Sequence, residues 1–192
     1  MEQLIYSRKN KNIVSLTVSA LLLSLFFIAS NILPPVFVLP GIPFTLQIFI
    51  VALMGFLLGL KRGLICISAL FMLTAAGIPM MSGFRGGIAV FVSPTGGFII
   101  GFIFIAAISG VYSDIFKKNS AFSFTILLLM SVLGLLIDYS LGAYVLSVQS
   151  GKASFYVLLY SNMIFLPFDV VKIVAAAAVS FYIKKTTSFN LN

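Results

Sequence analysis

Six apolar runs occupy most of this chain, and charged residues fall almost entirely between them. A transmembrane helix needs roughly 20 apolar residues. The chain is 61% hydrophobic and 8% charged, against about 25% charged residues in a soluble domain. Too few polar groups exist to cover a water-facing surface, so the bilayer is the expected solvent. The expected fold class is therefore an all-α integral membrane protein, one domain over residues 1–192, with six transmembrane helices.

The runs cover residues 13–30, 45–60, 64–77, 95–111, 122–141 and 165–183. The first ends at NILPPVFVLPGIP, where four prolines prohibit a continuing helix. The second and third are short and separated by Lys61, Arg62 and Gly63. The fifth fades into GAYVLSVQSGKAS after Leu141. The basic start MEQLIYSRKNKN before an apolar run has the form of a signal peptide. The run is long, however, shows no A-x-A-like cleavage site, and is followed by five more, so a retained first helix is expected. No internal repeat of 20–50 residues is visible.

The net charge of +8 invites a nucleic-acid reading, but the basic residues come in short flanking clusters rather than along one face. Nine of the twelve Lys/Arg residues fall on one side of the expected spans: Arg8, Lys9, Lys11, Lys61, Arg62, Lys117, Lys118, Lys184 and Lys185. Only Arg85 and Lys152 lie in the opposite loops, and Lys172 lies within the sixth run. Cytoplasmic loops carry the excess of Lys and Arg. Both termini are expected inside, with residues 31–44, 78–94 and 143–162 outside and carrying function.

Several chemistries are excluded. The chain has no histidine and one cysteine, Cys66, which removes a conventional His/Cys metal site and any internal disulfide. Ser-His-Asp catalysis is absent for the same reason. No G-x-x-x-x-G-K-[ST] motif is present, so ATP hydrolysis by a P-loop is not expected.

The candidate site residues are the polar ones in apolar surroundings. Asp169 and Lys172 are three apart, hence neighbours on one helical face. Ionisable residues inside a span usually mark a pathway or site, although a self-neutralising structural pair is the alternative. Asp138 is a second intramembrane carboxylate, buried against the bundle or facing a polar cavity. In PGIPFTLQIF, Thr45 can cap a helix start and Gln47 would lie in its first turn. In GIPMMSGFRGG, Gly83, Gly86 and Gly87 permit close backbone approach, and Arg85 is a natural carboxylate partner. SPTGG opens the fourth run with Thr95, Gly96 and Gly97, where free N–H groups favour an anion. Ser15, Ser19, Ala20 and Ser24 form small-residue spacings in the first run that suit close helix packing, internal or with a partner.

Three separated motifs together resemble the BioY family, the biotin-binding S components of energy-coupling-factor (ECF) vitamin transporters. They are PFTLQ at 43–47, GIPMMSGFRGG…SPTGGF at 77–98 and FLPFDVVK at 165–172. Their order and spacing extend the resemblance over nearly the whole chain. The resemblance implies biotin capture on the outer face of a bacterial plasma membrane. It implies no cofactor, and three partner subunits: a transmembrane coupling protein and two cytoplasmic ATPases. It also implies ligand contacts at Thr45, Gln47, the Gly83–Gly87 and Pro94–Gly97 elements, Asp169 and Lys172, and a coupling face on the first span. Two positions depart from the family's usual pattern. Phe168 replaces a glycine before the aspartate, which would reshape the pocket wall, and Ser93 replaces a glycine before Pro94. The rival readings are an S component for another vitamin, an intramembrane enzyme using Asp138 and Asp169, and a structural membrane protein that binds no small molecule.

Overall fold

The computed structural model describes residues 2–32, 36–39, 42–116, 121–151 and 154–186, with side chains described from residue 11 onward except within 36–44. Lys117, Lys118 and Lys152 lie outside the described residues, and Arg8 and Lys9 are described by their backbone alone. The elements in chain order are α1 (Glu2–Asn31), β1 (Val36–Leu39), β2 (Ile42–Phe44), α2 (Gln47–Ala75), α3 (Gly96–Ile115), α4 (Ala121–Ser150), α5 (Phe155–Asn162) and α6 (Leu166–Thr186). Among the described residues the secondary structure is helical apart from the β1–β2 hairpin, which pairs Val36 with Phe44 and Leu39 with Ile42 in the proline-rich segment where no helix can continue. Helix α2 packs on α1, α3 and α6, while α4 packs on α3, α5 and α6.

Five stretches among the described residues are long and apolar enough to cross a membrane: Lys11–Asn31, Gln47–Ala75, Gly96–Ile115, Ala121–Ser150 and Phe155–Thr186. The expected count of six differs because runs two and three join in α2. That element is not straight. Gly59 has φ 76° and ψ 179°, outside helical space. A Cβ built on Gly63 would stand 3.2 Å from the Gly55 Cα, whereas eight residues of continuous helix span about 12 Å. The chain therefore reverses at Gly59, and the two halves of α2 lie side by side. Lys61 and Arg62 belong to the start of the second half rather than to a loop.

So tight a reversal leaves helix-end backbone groups without intrahelical partners. Neighbouring helices supply them. The Phe56 carbonyl accepts from Ser113 Oγ at 2.7 Å and from Lys184 Nζ at 2.6 Å, and the Leu60 N–H donates to Asp114 Oδ2 at 3.0 Å. A cation at a helix C-terminus and an anion at an N-terminus both suit the backbone dipoles.

A second departure is α4, which continues nine residues past Leu141 to Ser150, where a loop is expected. Glycine weakens a helix by about 1 kcal/mol in isolation. Here Gly142 and Ala143 are buried, and a Cβ on Gly142 would collide with the Phe98 ring. Close packing on α3 outweighs the local penalty. Most of the expected 143–162 loop is likewise helical, as the end of α4 and all of α5.

Phe26, Val51, Met54, Ile67, Leu70, Ile105 and Leu135 form the buried core. Leu16, Met72, Ile65, Phe122 and Leu129 are exposed by more than half. Such apolar faces all round the bundle suit lipid rather than water.

Candidate functional site

At the end of the bundle that carries β1 and β2, a cavity of about 700 Å³, mouth included, opens between α2, α3, α4, α6 and the 77–95 loop. Its walls are mainly apolar: Ile48, Met81, Phe98, Ile99, Phe102 and Phe165. The lining is that of a ligand site, whose surface is apolar with a few placed polar groups.

Six candidates from the sequence converge on this cavity: Thr45, Gln47, Arg85, Thr95, Asp169 and Lys172. Asp169 sits in the first turn of α6 and Lys172 one turn on. Lys172 Nζ donates to Asp169 Oδ1 at 2.7 Å and to the Thr45 carbonyl at 2.7 Å. Tyr139 of α4 donates its hydroxyl to Asp169 Oδ2 at 2.5 Å. Asp169 and Lys172 are buried. Charges removed from water are costly unless paired and hydrogen-bonded, and both conditions are met here. The pair thereby ties α6 to α4 and to the residues entering α2.

Helix α2 begins at Gln47, whose backbone N–H donates to Thr45 Oγ1 at 3.3 Å. The Gln47 side chain is buried rather than solvated. Its Nε2 donates to Ser30 Oγ at 3.0 Å, and its Oε1 accepts from Thr45 Oγ1 at 3.1 Å. Asn31, at the end of α1, holds the loop above. Its Nδ2 donates to the Pro79 carbonyl at 2.9 Å, and its Oδ1 accepts the Phe84 N–H at 2.7 Å. Arg85 Nε donates to the Ser82 carbonyl at 2.9 Å and Nη2 to Thr95 Oγ1 at 3.3 Å. Arg85 has no carboxylate partner among the described residues.

The five candidate glycines are not in the cavity wall. Gly83 and Gly87 hold positive φ, at 77° and 86°, in the loop. Gly86, Gly96 and Gly97 press on backbone: a Cβ would collide with the carbonyls of Ile78, Phe91 and Leu141 respectively. They shape the loop and its junction with α4 and do not touch the cavity. Phe168 points away from it, exposed on α6, so it does not reshape the pocket wall. The small residues of α1 divide as well. Ser15 is buried within the chain, and the Ser19 carbonyl lies 3.9 Å from Cys66 Sγ, whereas Ala20 and Ser24 are exposed.

Sequence reasoning missed Tyr139, Asn162 and Ser82, which also line the cavity, and left Asp138 open between two environments. Asp138 lines the cavity at 1% exposure. Four buried side-chain atoms among the described residues have no hydrogen-bond partner: Ser82 Oγ, Asp138 Oδ1, Asn162 Nδ2 and Asn162 Oδ1. All belong to cavity-lining residues. Each such orphan costs about 1–3 kcal/mol, so their clustering marks a place where a polar partner belongs.

The BioY family model matches residues 4–189. The biotin transporter BioY of Thermotoga maritima is 39% identical over 150 residues, covering 75% of this chain and 82% of the relative. That of Rhizobium etli is 34% identical over 162 residues, covering 81% and 86%. A crystal structure of the S-component for biotin from an ECF-type ABC transporter superposes with a TM-score of 0.83 at 28% identity, over 94% of this chain and 95% of that one. With a family model spanning nearly its whole length and relatives of this similarity, the chain belongs to the BioY family.

Proposed function

We propose that this chain captures biotin as the substrate-specific S component of an ECF transporter and delivers it across the bacterial plasma membrane. The observation that carries the reading is the mainly apolar cavity with unpartnered polar atoms on Ser82, Asp138 and Asn162. Biotin has an apolar ring and alkyl chain, a polar ureido head and a carboxylate tail, and each part has a counterpart in that lining. Arg85, without an acidic partner among the described residues, is suited to the carboxylate. Thr45, Gln47 and Thr95 complete the polar rim, and Asp169 with Lys172 face the head. BioY proteins are transporter components and not enzymes, which sets aside the two-carboxylate hydrolase. Energy then comes from a coupling protein and two ATPase subunits.

The topology we infer is six spans with both termini inside. The reversal at Gly59 supports it, since each half of α2 then crosses on its own. Lys61, Arg62, Lys184 and Lys185 support it too, at the end away from the cavity. Cys66 is buried, so single cysteines introduced elsewhere can be read against a quiet background. Phe84→Cys is expected to react with an impermeant reagent on intact cells and Lys185→Cys only after permeabilisation; the reverse pattern would invert the topology.

Calorimetric titration of the purified chain with biotin tests the function. Saturable one-to-one binding is expected, with no heat from riboflavin or thiamine. Saturable binding of one of those vitamins, with none of biotin, would reassign the substrate.

A further inference from the structure

We propose that Asn162 and Asp138 form the specificity-determining contact for the ligand's cyclic urea, beyond the Asp169–Lys172 pair. The proposal rests on the biotin reading above. Among the described residues the cavity contains two kinds of polar side chain. Asp169, Lys172, Tyr139, Gln47 and Thr45 already hold one another through hydrogen bonds. Asn162, fully buried at the end of α5, has neither its amide N–H₂ nor its amide oxygen partnered. Asp138 Oδ1 is equally without a partner, and it lies where a Cβ on Gly101 would collide with it, so Gly101 makes room for this side chain.

The inventory of orphans matches a urea. A cyclic urea offers two N–H donors and one carbonyl acceptor. A primary amide presents a donor and an acceptor side by side, so it can pair with one N–H and the C=O through two antiparallel hydrogen bonds. Asn162 supplies that edge, and Asp138 Oδ1 supplies an acceptor for the second N–H. Three buried orphan atoms thus meet three ligand groups, each with the required sense. A site built this way discriminates strongly, because an analogue that fails to pair leaves protein groups buried and unsatisfied. The paired assembly of Asp169, Lys172 and Tyr139 then fixes the positions of α4 and α6, from which Asp138 and, just before α6, Asn162 project.

The probes are biotin, 2-iminobiotin, which replaces the urea carbonyl by a basic C=NH and so presents donors where biotin accepts, and biotinamide, altered only at the tail. Binding is measured for wild type, Asn162→Ala and Asn162→Asp. Wild type is expected to prefer biotin to 2-iminobiotin. Asn162→Ala should lose at least roughly tenfold in biotin affinity, the factor for about 1.4 kcal/mol, and most of that preference. Asn162→Asp exchanges the donor for an acceptor and should invert it. The ratio of biotin to biotinamide should stay within about twofold in each, while the biotin to 2-iminobiotin ratio changes; a loss of folded protein scales every apparent affinity by the same factor and would leave both ratios unchanged. If both variants keep the wild-type preference for biotin over 2-iminobiotin, Asn162 does not read the urea and the inference fails. The biotin assignment survives that result. If wild type itself binds none of the three, the biotin reading fails and this inference falls with it.

Discussion

At the scale of single residues, the buried pair of Asp169 and Lys172 is the most exposed to test. Tyr139, Lys172 and the Thr45 carbonyl make it one connected assembly, so removing one charge strands the other in a low-dielectric site. Hydrogen bonds to charged groups contribute roughly 1.5–3 kcal/mol. Asp169→Asn should therefore weaken biotin binding at least about tenfold, and Lys172→Ala should weaken it too by leaving the carboxylate uncompensated. The double change Asp169→Asn with Lys172→Met removes the buried charge altogether. It should restore thermal stability towards the parent without restoring affinity. A double mutant that binds as tightly as the parent would make the pair structural. This pair was legible in the sequence because a carboxylate and an amine inside an apolar run stand out. Asn162, Ser82 and Tyr139 were not, since uncharged polar residues and tyrosine are common in membrane helices. Only the convergence of α4, α5 and the 77–95 loop on one cavity separates those three from others of their kind.

At the scale of elements, what the sequence hid is explained by contacts far along the chain. The break between runs two and three was visible at Lys61, Arg62 and Gly63, but its compactness was not. It depends on Gly59 adopting φ 76°, and on Ser113, Asp114 and Lys184 satisfying the helix ends from more than 50 residues away. The extension of α4 depends similarly on Gly142 and Gly97 lying against α3 and α4 partners that local propensity cannot anticipate. By contrast, the starts of α3 at Gly96 and of α6 at Leu166 fall within one residue of expectation, because SPTGG and FLPF punctuate the chain locally. The reversal gives a direct prediction. At φ 76° and ψ 179° Gly59 occupies a region held essentially by glycine alone, where a side chain costs about 1–3 kcal/mol, so Gly59→Ala should lower the melting temperature in detergent. Lys184→Met should lower it as well, through the lost bonds to the Phe56 carbonyl and Ser113. Neither change lies near the cavity, so biotin affinity at low temperature should be kept. An unchanged melting temperature in Gly59→Ala would show that the backbone relaxes there without strain.

At the scale of the whole molecule, α1 stands apart. It packs mainly on α2, and it carries an exposed outward stripe of Leu16, Leu21, Leu25 and Ile28. Within that stripe Ala20 and Ser24 form a shallow patch, and the Ser24 hydroxyl is turned back onto the Ala20 carbonyl at 2.9 Å, so it presents little polarity to its surroundings. Ser15, buried within the chain, belongs to the internal packing of α1 rather than to this face. A smooth, small-residue patch lets a second helix approach closely, which suits a coupling subunit better than lipid alone. The cavity lies among α2, α3, α4 and α6, so binding and coupling should be separable by substitution. Ala20→Phe and Ser24→Phe should abolish biotin uptake in cells that carry the partner subunits, while the purified variants hold biotin within about twofold of the parent. Parallel loss of uptake and binding in both variants would place this face inside the fold's own packing and leave the docking helix to be found elsewhere.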